Sequence, residues 1–367
     1  MQSIYQKRRE LLLEKLIENQ IEIGIITEPA NIFYYSGFFS NPHERFMSLF
    51  FDTRQKTFTL FTPALDKSAA KEASDIENII PISDDQLPFD VVKDTLNEDF
   101  TTFGVEKKAF NLFRFDELKG AFPNCTVTDI QPFTNELRIK KSKEEIELLQ
   151  NATDIIEKVL EEGIKSVKVG MTELELTAHL ETLMRQFGAD GPSFSTIVLS
   201  GEKAALPHGT PGNRKFQKGD FLLIDMGVTK DNYCSDTTRT FVIGEPTEKQ
   251  QQIYDIVLQS NEAGIAASKA NAPLKTFDIA ARDVIEEAGY GEYFNNRVGH
   301  GLGIEVHEEP SVHGKNEQLA ATGLVYTVEP GIYIPGYGGV RIEDTVYINE
   351  DGEPEVLTKF PKQLISL

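Results

Sequence analysis

The spacing of apolar positions over the first 130 residues alternates between two periods. Residues 8–22 repeat apolar side chains at helical spacing among Glu and Lys, which is typical of an amphipathic helix. Short apolar runs typical of strands follow at 21–26, 46–51, 57–61, 78–82 and 125–130. Helical stretches at 65–73 and 115–121 lie between the later runs. Strands that alternate with helices predict an α/β unit of about domain size.

The pattern changes after residue 131. Ser142 and Glu145 have the spacing of a capping box, and apolar positions then recur at helical spacing. Further helices are predicted at 172–187, 247–270 and 274–288, and strands at 195–199, 221–228, 237–243, 324–328 and 340–348. Because helices and hairpins replace strict alternation here, we predict an α+β protein with domains 1–131 and 132–367.

Composition narrows the classes of partner and compartment. The 367 residues carry 58 acidic and 37 basic side chains, a formal net charge of −21, which argues against polyanionic partners such as nucleic acid or an anionic membrane. Cys125 and Cys234 are too few for a disulfide framework or a CxxC zinc motif. The start of the chain lacks an apolar secretory segment, and no run of about 18 apolar residues occurs. We therefore expect a cytoplasmic protein.

Two aspartates stand in apolar surroundings. Asp225 lies inside the apolar run 221–227, and Asp236 follows eleven residues later. Two strands joined by a turn near residues 230–232 would bring these carboxylates face to face, where they raise each other's pKa unless a cation lies between them. The alternative is an ordinary Asp–Arg ion pair, for example with Arg239.

More polar residues of the same kind follow in the second half. His300 lies among three glycines, Glu329 ends an apolar strand, and Arg341 and Glu343 occupy alternate positions that would share one face of a strand. Four carboxylates with one imidazole suit hard or borderline divalent ions and would be natural for two metals that share bridging acids.

Five ordered motifs between residues 150 and 360 carry a family resemblance. They are Leu223-Ile-Asp-Met-Gly, Ser235-Asp-Thr-Thr-Arg-Thr, Gly299-His-Gly-Leu-Gly, Val328-Glu-Pro-Gly-Ile-Tyr and Gly339-Val-Arg-Ile-Glu-Asp. The chain resembles the pita-bread metallopeptidases, in the branch of prolidase (Xaa-Pro dipeptidase) and aminopeptidase P. The resemblance implies a C-terminal pita-bread catalytic domain and a smaller, creatinase-like α/β N-terminal domain.

The resemblance also implies a ligand set. The residues that match the metal ligands of the family are Asp225, Asp236, His300, Glu329 and Glu343. Asp236 and Glu343 match the bridging ligands of two divalent ions. The family typically uses Mn²⁺, with Co²⁺ or Zn²⁺ in some members.

Other matches concern the substrate. Glu329, His307 and His208 match catalytic groups, and the residues that match substrate contacts are His208, His307, Tyr333 and Arg341. One departure is visible, because many relatives have a histidine at the position of Asn296.

A loop in the first domain resembles one that reaches the partner subunit's active site in short bacterial prolidases. It contains His43 and Arg45. The resemblance implies a homodimer in which these residues bind substrate, and an ordinary exposed loop is the alternative.

The function implied by the resemblance is hydrolysis of dipeptides with C-terminal proline by a hydroxide that bridges two metal ions. The alternative is an aminopeptidase P that releases the N-terminal residue from longer Xaa-Pro peptides. Two further readings are a metal-free binding protein of the same fold and a metal-independent hydrolase like creatinase. The filled set of five ligand positions argues against both.

Overall fold

A computed structural model describes residues 3–367 of the chain. The chain divides after Arg138 into two compact units. The predicted boundary between residues 131 and 132 falls at the start of the helix Gln131–Ile139, whereas this division falls near the end of the same helix. The predicted boundary stays a prediction. Each unit is described below by itself.

The first unit is an α/β domain built on one mixed sheet. Its elements are α1 (Ile4–Glu18), β1 (Ile23–Ile26), α2 (Pro29–Ser36), β2 (Ser48–Asp52), β3 (Thr57–Pro63), α3 (Lys67–Ala73), β4 (Asn78–Ile82), α4 (Pro88–Leu96), β5 (Thr102–Val105), α5 (Leu112–Ala121), β6 (Thr126–Asp129) and α6 (Gln131–Ile139). The strand order is β4-β3-β2-β1-β5-β6, with β1 antiparallel to β2 and parallel to β5. The predicted alternation of strands and helices is confirmed.

The sequence pattern did not predict α2, α4, β5 and α6, and for two of these the physical reason is clear. The helix α2 is buried along almost its whole length, so it has no polar face and no helical period to read. The strand β5 has four residues, which is too short for an alternating pattern. Long amphipathic elements are found where the pattern placed them, with ends shifted by a few residues.

The second unit contains longer helices and several small sheets. Its elements are α7 (Lys143–Ile164), α8 (Glu173–Gln186), β7 (Gly191–Pro192), β8 (Ile197–Ser200), β9 (Phe221–Met226), β10 (Val228–Lys230), β11 (Tyr233–Cys234), β12 (Thr237–Val242), α9 (Glu248–Ala266), α10 (Lys275–Glu287), β13 (Gly299–Gly301), β14 (Glu308–Val312), β15 (Val325–Val328), β16 (Gly331–Ile334), β17 (Gly338–Arg341), β18 (Asp344–Ile348) and β19 (Pro354–Val356). Two of its sheets have the orders β12-β9-β8 and β14-β13-β15-β18-β19.

The strand β9 is apolar on both faces because both faces are covered. Leu223 packs in one core with residues of α9 and α10, whereas Leu222 and Ile224 pack in another with residues of α7 and α8. This explains the uninterrupted apolar run that surrounds Asp225. None of the helices among residues 3–367 is both long and apolar enough to cross a bilayer.

One expected strand is in fact two. The run 340–348 breaks after Arg341, because β17 pairs with β16 in a hairpin whereas β18 pairs with β15. Glu343 therefore lies in the short break between β17 and β18, and the expectation that it shares a strand face with Arg341 was wrong. The predicted capping box of Ser142 and Glu145 is present at the start of α7.

Candidate metal centre

The ends of several strands of the second unit bring polar side chains together. Asp225 lies near the end of β9, Asp236 just before β12, and Glu343 just before β18. In the β9–β12 ladder Asp225 faces Thr238, two residues after Asp236. The pairing that was expected to bring the two aspartates together is therefore present in the sheet.

The imidazole and three carboxylates form one cluster. Ligand atoms of Asp236, His300 and Glu343 all lie within 4.8 Å of one another. His300 Nε2 is 3.4 Å from Glu329 Oε1 and 3.7 Å from Asp236 Oδ2. Asp225 lines the same cavity as these four residues. The structure thus brings together all five residues that were predicted as ligands.

Glycine permits the close approach that places the imidazole. A Cβ at Gly299 would lie 1.8 Å from the carbonyl oxygen of Thr327 in β15, and one at Gly301 would lie 2.3 Å from the carbonyl oxygen of Glu309. Any side chain at Gly299 would push β13 away from β15 and move His300 with it. The glycines of the His300 motif therefore have a steric explanation.

Burial changes the pKa values of Glu329, Asp236 and Glu343 in the cluster. Burial raises the pKa of Glu329 to about 7, with Asp225 adding to the shift. Burial and the neighbouring carboxylates also raise the pKa values of Asp236 and Glu343 well above their ordinary range. Like charges so close in a buried site favour protons or a bound cation.

His300 is held in the neutral form that binds metals. Its Nδ1 lies 3.1 Å from the carbonyl oxygen of Gly301, so in the neutral ring Nδ1–H donates and Nε2 is left as an acceptor. Burial, followed by the nearby His307, lowers the pKa of His300 to about 3. Neutral imidazole oriented by a hydrogen bond from its other nitrogen is the usual form of a metal-binding histidine.

Two buried carboxylate oxygens of the cluster have no hydrogen-bond donor among residues 3–367. They are Asp225 Oδ1 and Glu343 Oε1. The other oxygen of each group is occupied, since Arg341 Nη2 donates to Asp225 Oδ2 and Thr238 Oγ1 donates to Glu343 Oε2 over 2.6 Å. A buried acceptor without a donor is costly, and a divalent cation would satisfy it. The residues present therefore fit a centre of divalent ions.

Arg341 and Thr238 form the support behind the cluster. Arg341 Nε donates to Thr238 Oγ1 over 3.0 Å, and Arg341 Nη1 donates to Tyr333 Oη over 2.9 Å. Asp225 therefore pairs with Arg341, whereas Arg239 pairs with Asp344 over 2.8 Å. Sequence reasoning missed Thr238, although its i+2 spacing from Asp236 was the available signal.

The cluster opens onto a cavity of about 810 Å³. His208 and His307 both line it with exposed rings, and the His307 ring centroid is 4.1 Å from that of His300. Partial burial and the nearby Arg297 lower the pKa of His307. Apolar side chains of Phe194, Ile197, Leu206 and Val306 complete part of the wall. The cavity wall is therefore polar beside the acids and apolar elsewhere.

Two neighbours of the cluster, Asn296 and Arg297, differ in how well the sequence indicated them. Asn296 Nδ2 donates to the carbonyl oxygen of Arg297 over 2.9 Å, whereas its buried Oδ1 has no partner among the described residues. Arg297 lines the cavity and donates to Ser311 Oγ over 2.9 Å. Sequence reasoning singled out Asn296 but missed Arg297, for which adjacency to Asn296 was the only signal.

His43 and Arg45 belong to the first unit. His43 is exposed, with its backbone N–H on Asn41 Oδ1 at 3.1 Å, and Arg45 forms a two-pronged ion pair with Asp84 at 2.8 and 3.1 Å. The residues that line the cavity all come from the second unit. The substrate role of His43 and Arg45 stays a prediction.

Comparison with known proteins gives two family matches that together span most of the chain. Residues 147–350 match the model of metallopeptidase family M24, and residues 8–140 match the model of the creatinase/prolidase N-terminal domain. The two-domain pita-bread fold is thereby confirmed.

Three individual proteins illustrate the similarity. "Putative dipeptidase YkvY" of Bacillus subtilis is 42% identical over 94% of this chain and 95% of its own length. The solved structure of an Xaa-Pro dipeptidase from Bacillus anthracis is 33% identical, with a TM-score of 0.91 over 99% of this chain and 100% of that one. An X-Pro aminopeptidase from Thermotoga maritima is 35% identical, with a TM-score of 0.90 over 98% and 99% of the two chains.

Proposed function

We propose that this chain, which belongs to metallopeptidase family M24, is a dinuclear-metal-dependent Xaa-Pro dipeptidase that hydrolyses dipeptides with C-terminal proline. The observation that carries the proposal is the five-residue cluster, whose Asp225 and Glu343 each offer one buried, unsatisfied oxygen beside a cavity of peptide size. The similarity to a dipeptidase of B. anthracis and to YkvY supports the choice of substrate class.

The ions would be held by Asp225, Asp236, His300, Glu329 and Glu343, with Asp236 and Glu343 shared between them. When bound, they would lower the pKa of water toward neutrality and stabilise developing negative charge on the substrate oxygen. We propose Mn²⁺ as the physiological ion, with Co²⁺ or Zn²⁺ as substitutes. Oxygen-rich ligation with one imidazole is consistent with any of the three.

Glu329 is placed to carry a proton between water and the leaving nitrogen. Its carboxyl group lines the cavity, with Oε1 3.4 Å from His300 Nε2, where it can exchange a proton with a reacting group. Thr327 Oγ1 lies 3.4 Å from Glu329 Oε1 and limits the rotation of the carboxyl group. We assign Glu329 the role of accepting the proton of the attacking water and delivering it to the proline nitrogen.

The two exposed histidines would bind the rest of the substrate. His307 lies beside His300 and would donate a hydrogen bond to the oxyanion as it forms. His208 would bind the terminal carboxylate or carbonyl. Tyr333 and Arg341 line the wall, where Arg341 already holds Asp225, so we propose that they orient the cluster as well as contact substrate.

Selection of proline follows from the chemistry of its peptide bond. The Xaa–Pro bond is a tertiary amide without an N–H group, so a site that offers no acceptor there and an apolar wall would favour it. Phe194, Ile197 and Leu206 supply such a wall. We further propose, from the family resemblance, a cytoplasmic homodimer in which His43 and Arg45 reach the partner's cavity. Sedimentation analysis of wild-type protein tests the dimer.

The second candidate is an aminopeptidase P, and similarity to the X-Pro aminopeptidase of T. maritima favours it. The kcat/KM values for Met-Pro and Met-Pro-Pro separate the two, with Met-Ala as the control for proline selection. The proposal predicts that Met-Pro is the better substrate and that Met-Ala is poor. A preference for Met-Pro-Pro or longer peptides would replace the dipeptidase by the aminopeptidase.

A further inference from the structure

We propose that Glu173 is a positioning residue that holds the histidine loop, residues 200–212, in the shape that presents His208 to the cavity. The inference rests on the proposed substrate role of His208. Glu173 is the first residue of α8 and lies outside the five motifs that define the metal cluster.

The carboxylate of Glu173 contacts both ends of the histidine loop. Its Oε1 accepts hydrogen bonds from the backbone N–H and the hydroxyl of Ser200, at 2.9 and 3.0 Å. Its Oε2 accepts from the backbone N–H of Gly212 at 2.9 Å and from Lys203 Nζ at 2.5 Å. The side chain is completely buried. One buried carboxylate thus closes the loop on itself.

Further hydrogen bonds within the loop connect the contacts of Glu173 to the backbone on either side of His208. Lys203 Nζ also donates to the carbonyl oxygen of Thr210 over 3.1 Å, and the backbone N–H of Gly209 donates to the carbonyl oxygen of Leu206 over 2.9 Å. The His208 ring is exposed and makes no hydrogen bond within residues 3–367. Its position is therefore set by the backbone that carries it and not by contacts of its own.

The negative charge of Glu173 is what the four donors require. An ionised carboxylate accepts on both oxygens, whereas a glutamine amide would turn an NH₂ group toward the donors of one side. Asp220 and Glu202 do not replace the lost negative charge, because both are already paired with Arg214, at 2.6 and 3.0 Å. Glu173→Gln should therefore loosen the loop with little change in side-chain volume.

The chain offers a matched control for general destabilisation. Glu157 in α7 also accepts two backbone N–H groups from a distant segment, those of Lys359 and Phe360. It does not line the cavity. Glu157→Gln removes a comparable anchor without touching the histidine loop.

The test is a double-mutant cycle between Glu173→Gln and His208→Ala, with kcat and KM measured on the peptide that the wild type cleaves best. We expect Glu173→Gln to raise KM and lower kcat/KM about tenfold, and to have little further effect once His208 is alanine. Glu157→Gln should lower the Tm but leave KM near the wild-type value. Independent, multiplying effects of Glu173→Gln and His208→Ala would overturn the proposal.

Hydrogen–deuterium exchange supplies a readout that needs no activity. In Glu173→Gln the amides of Ser200 and Gly212 should exchange faster while the bound metal stays at the wild-type level, and Glu157→Gln should leave them unchanged. Unchanged exchange in Glu173→Gln would refute the anchor, even if the wild type proves to prefer longer peptides. Should Glu173→Gln fail to fold, the milder Lys203→Met is expected to change exchange and KM in the same direction, and no change would refute the proposal.

Discussion

At the scale of single residues, the cluster shows how partners decide what a carboxylate does. Asp225 and Glu343 each have one oxygen held by a donor and one left without any among the described residues. The side chain that links them is Thr238, which donates to Glu343 and accepts from Arg341. Sequence motifs predicted the acids and the imidazole because those residue types have recognisable chemistry. They could not predict Thr238, because a threonine in a strand is ordinary until its neighbours are known.

Thr238→Val is expected to weaken metal binding about tenfold. The substitution keeps the branched shape but removes the hydroxyl that fixes Glu343 and receives Arg341 Nε. Isothermal titration with Mn²⁺ measures the change, and Thr238→Ser should recover most of the affinity. Equal affinity of wild type and Thr238→Val would show that the hydroxyl does not orient the ligands.

A second residue-scale prediction concerns the first unit. Glu106 is buried and accepts the backbone N–H groups of Thr27 and Glu28, at 2.6 and 2.9 Å. Burial raises its pKa from 4.5 to about 7. The folded state binds the Glu106 proton more tightly than the unfolded state does. The contribution of protonated Glu106 to the free energy of unfolding is therefore fully present below pH 4.5 and is lost as the pH rises through 7.

Relative to Glu106→Gln, the wild type should therefore lose up to about 3 kcal/mol of unfolding free energy between pH 4.5 and pH 8. Urea denaturation of both proteins at several pH values measures the difference, in which the titration of other groups cancels. A difference that is constant with pH would mean that the carboxyl is ionised throughout this range.

At the scale of elements, amphipathic helices and apolar strands were predictable, and the interruptions were not. The capping box of α7 was predicted from the spacing of Ser142 and Glu145, and the strand β9 was predicted from an uninterrupted apolar run. The break at Glu343 was missed because apolar residues recur on alternate positions at both ends of 340–348, as in one strand, and only pairing with β16 and β15 divides the run. Pairing partners distant in sequence are not visible in a local pattern.

Gly299→Ala is expected to lower metal affinity at least tenfold and to lower the Tm. Its Cβ would meet the Thr327 carbonyl oxygen at 1.8 Å, so β13 and β15 must separate and His300 must shift. The control is Gly120→Ala, where nothing lies within 4 Å of the new Cβ and the helix should tolerate or gain from alanine. Thermal unfolding and Mn²⁺ titration measure both variants, and wild-type metal affinity in Gly299→Ala would contradict the steric account.

At the scale of the whole molecule, the net charge indicates less about function than the positions of a few acidic side chains do. The chain has a formal charge of −21, but the proposed function depends on four of its 58 acids and one histidine. Those four lie in or directly beside different strands of the second unit, three of them buried and Glu329 partly buried. The family match and the similarity of whole chains to solved dipeptidase and aminopeptidase structures agree with this local picture. The sequence predicted the family, which the comparisons confirm, and five ligand residues, which the structure brings together and whose role stays a prediction. The supporting contacts required the structure.

Metal binding by the whole protein should release protons and strengthen as the pH rises. The pKa values of Asp236, Glu329 and Glu343 are raised in the metal-free protein, that of Glu329 to about 7, so these groups must lose protons to bind an ion. Calorimetric titration with Mn²⁺ at pH 6.5 in two buffers of different ionisation enthalpy counts the protons released. Binding that is independent of buffer and of pH between 6 and 8 would contradict the raised pKa values.

The most direct test of the central claim is a titration of the metal-free protein with Mn²⁺ while hydrolysis of Met-Pro is followed. If the five residues form a dinuclear centre for Xaa-Pro hydrolysis, activity is absent without metal and reaches its plateau near two ions per chain. Full hydrolysis without metal, saturation at one ion, or no hydrolysis of Met-Pro at any metal level would contradict it.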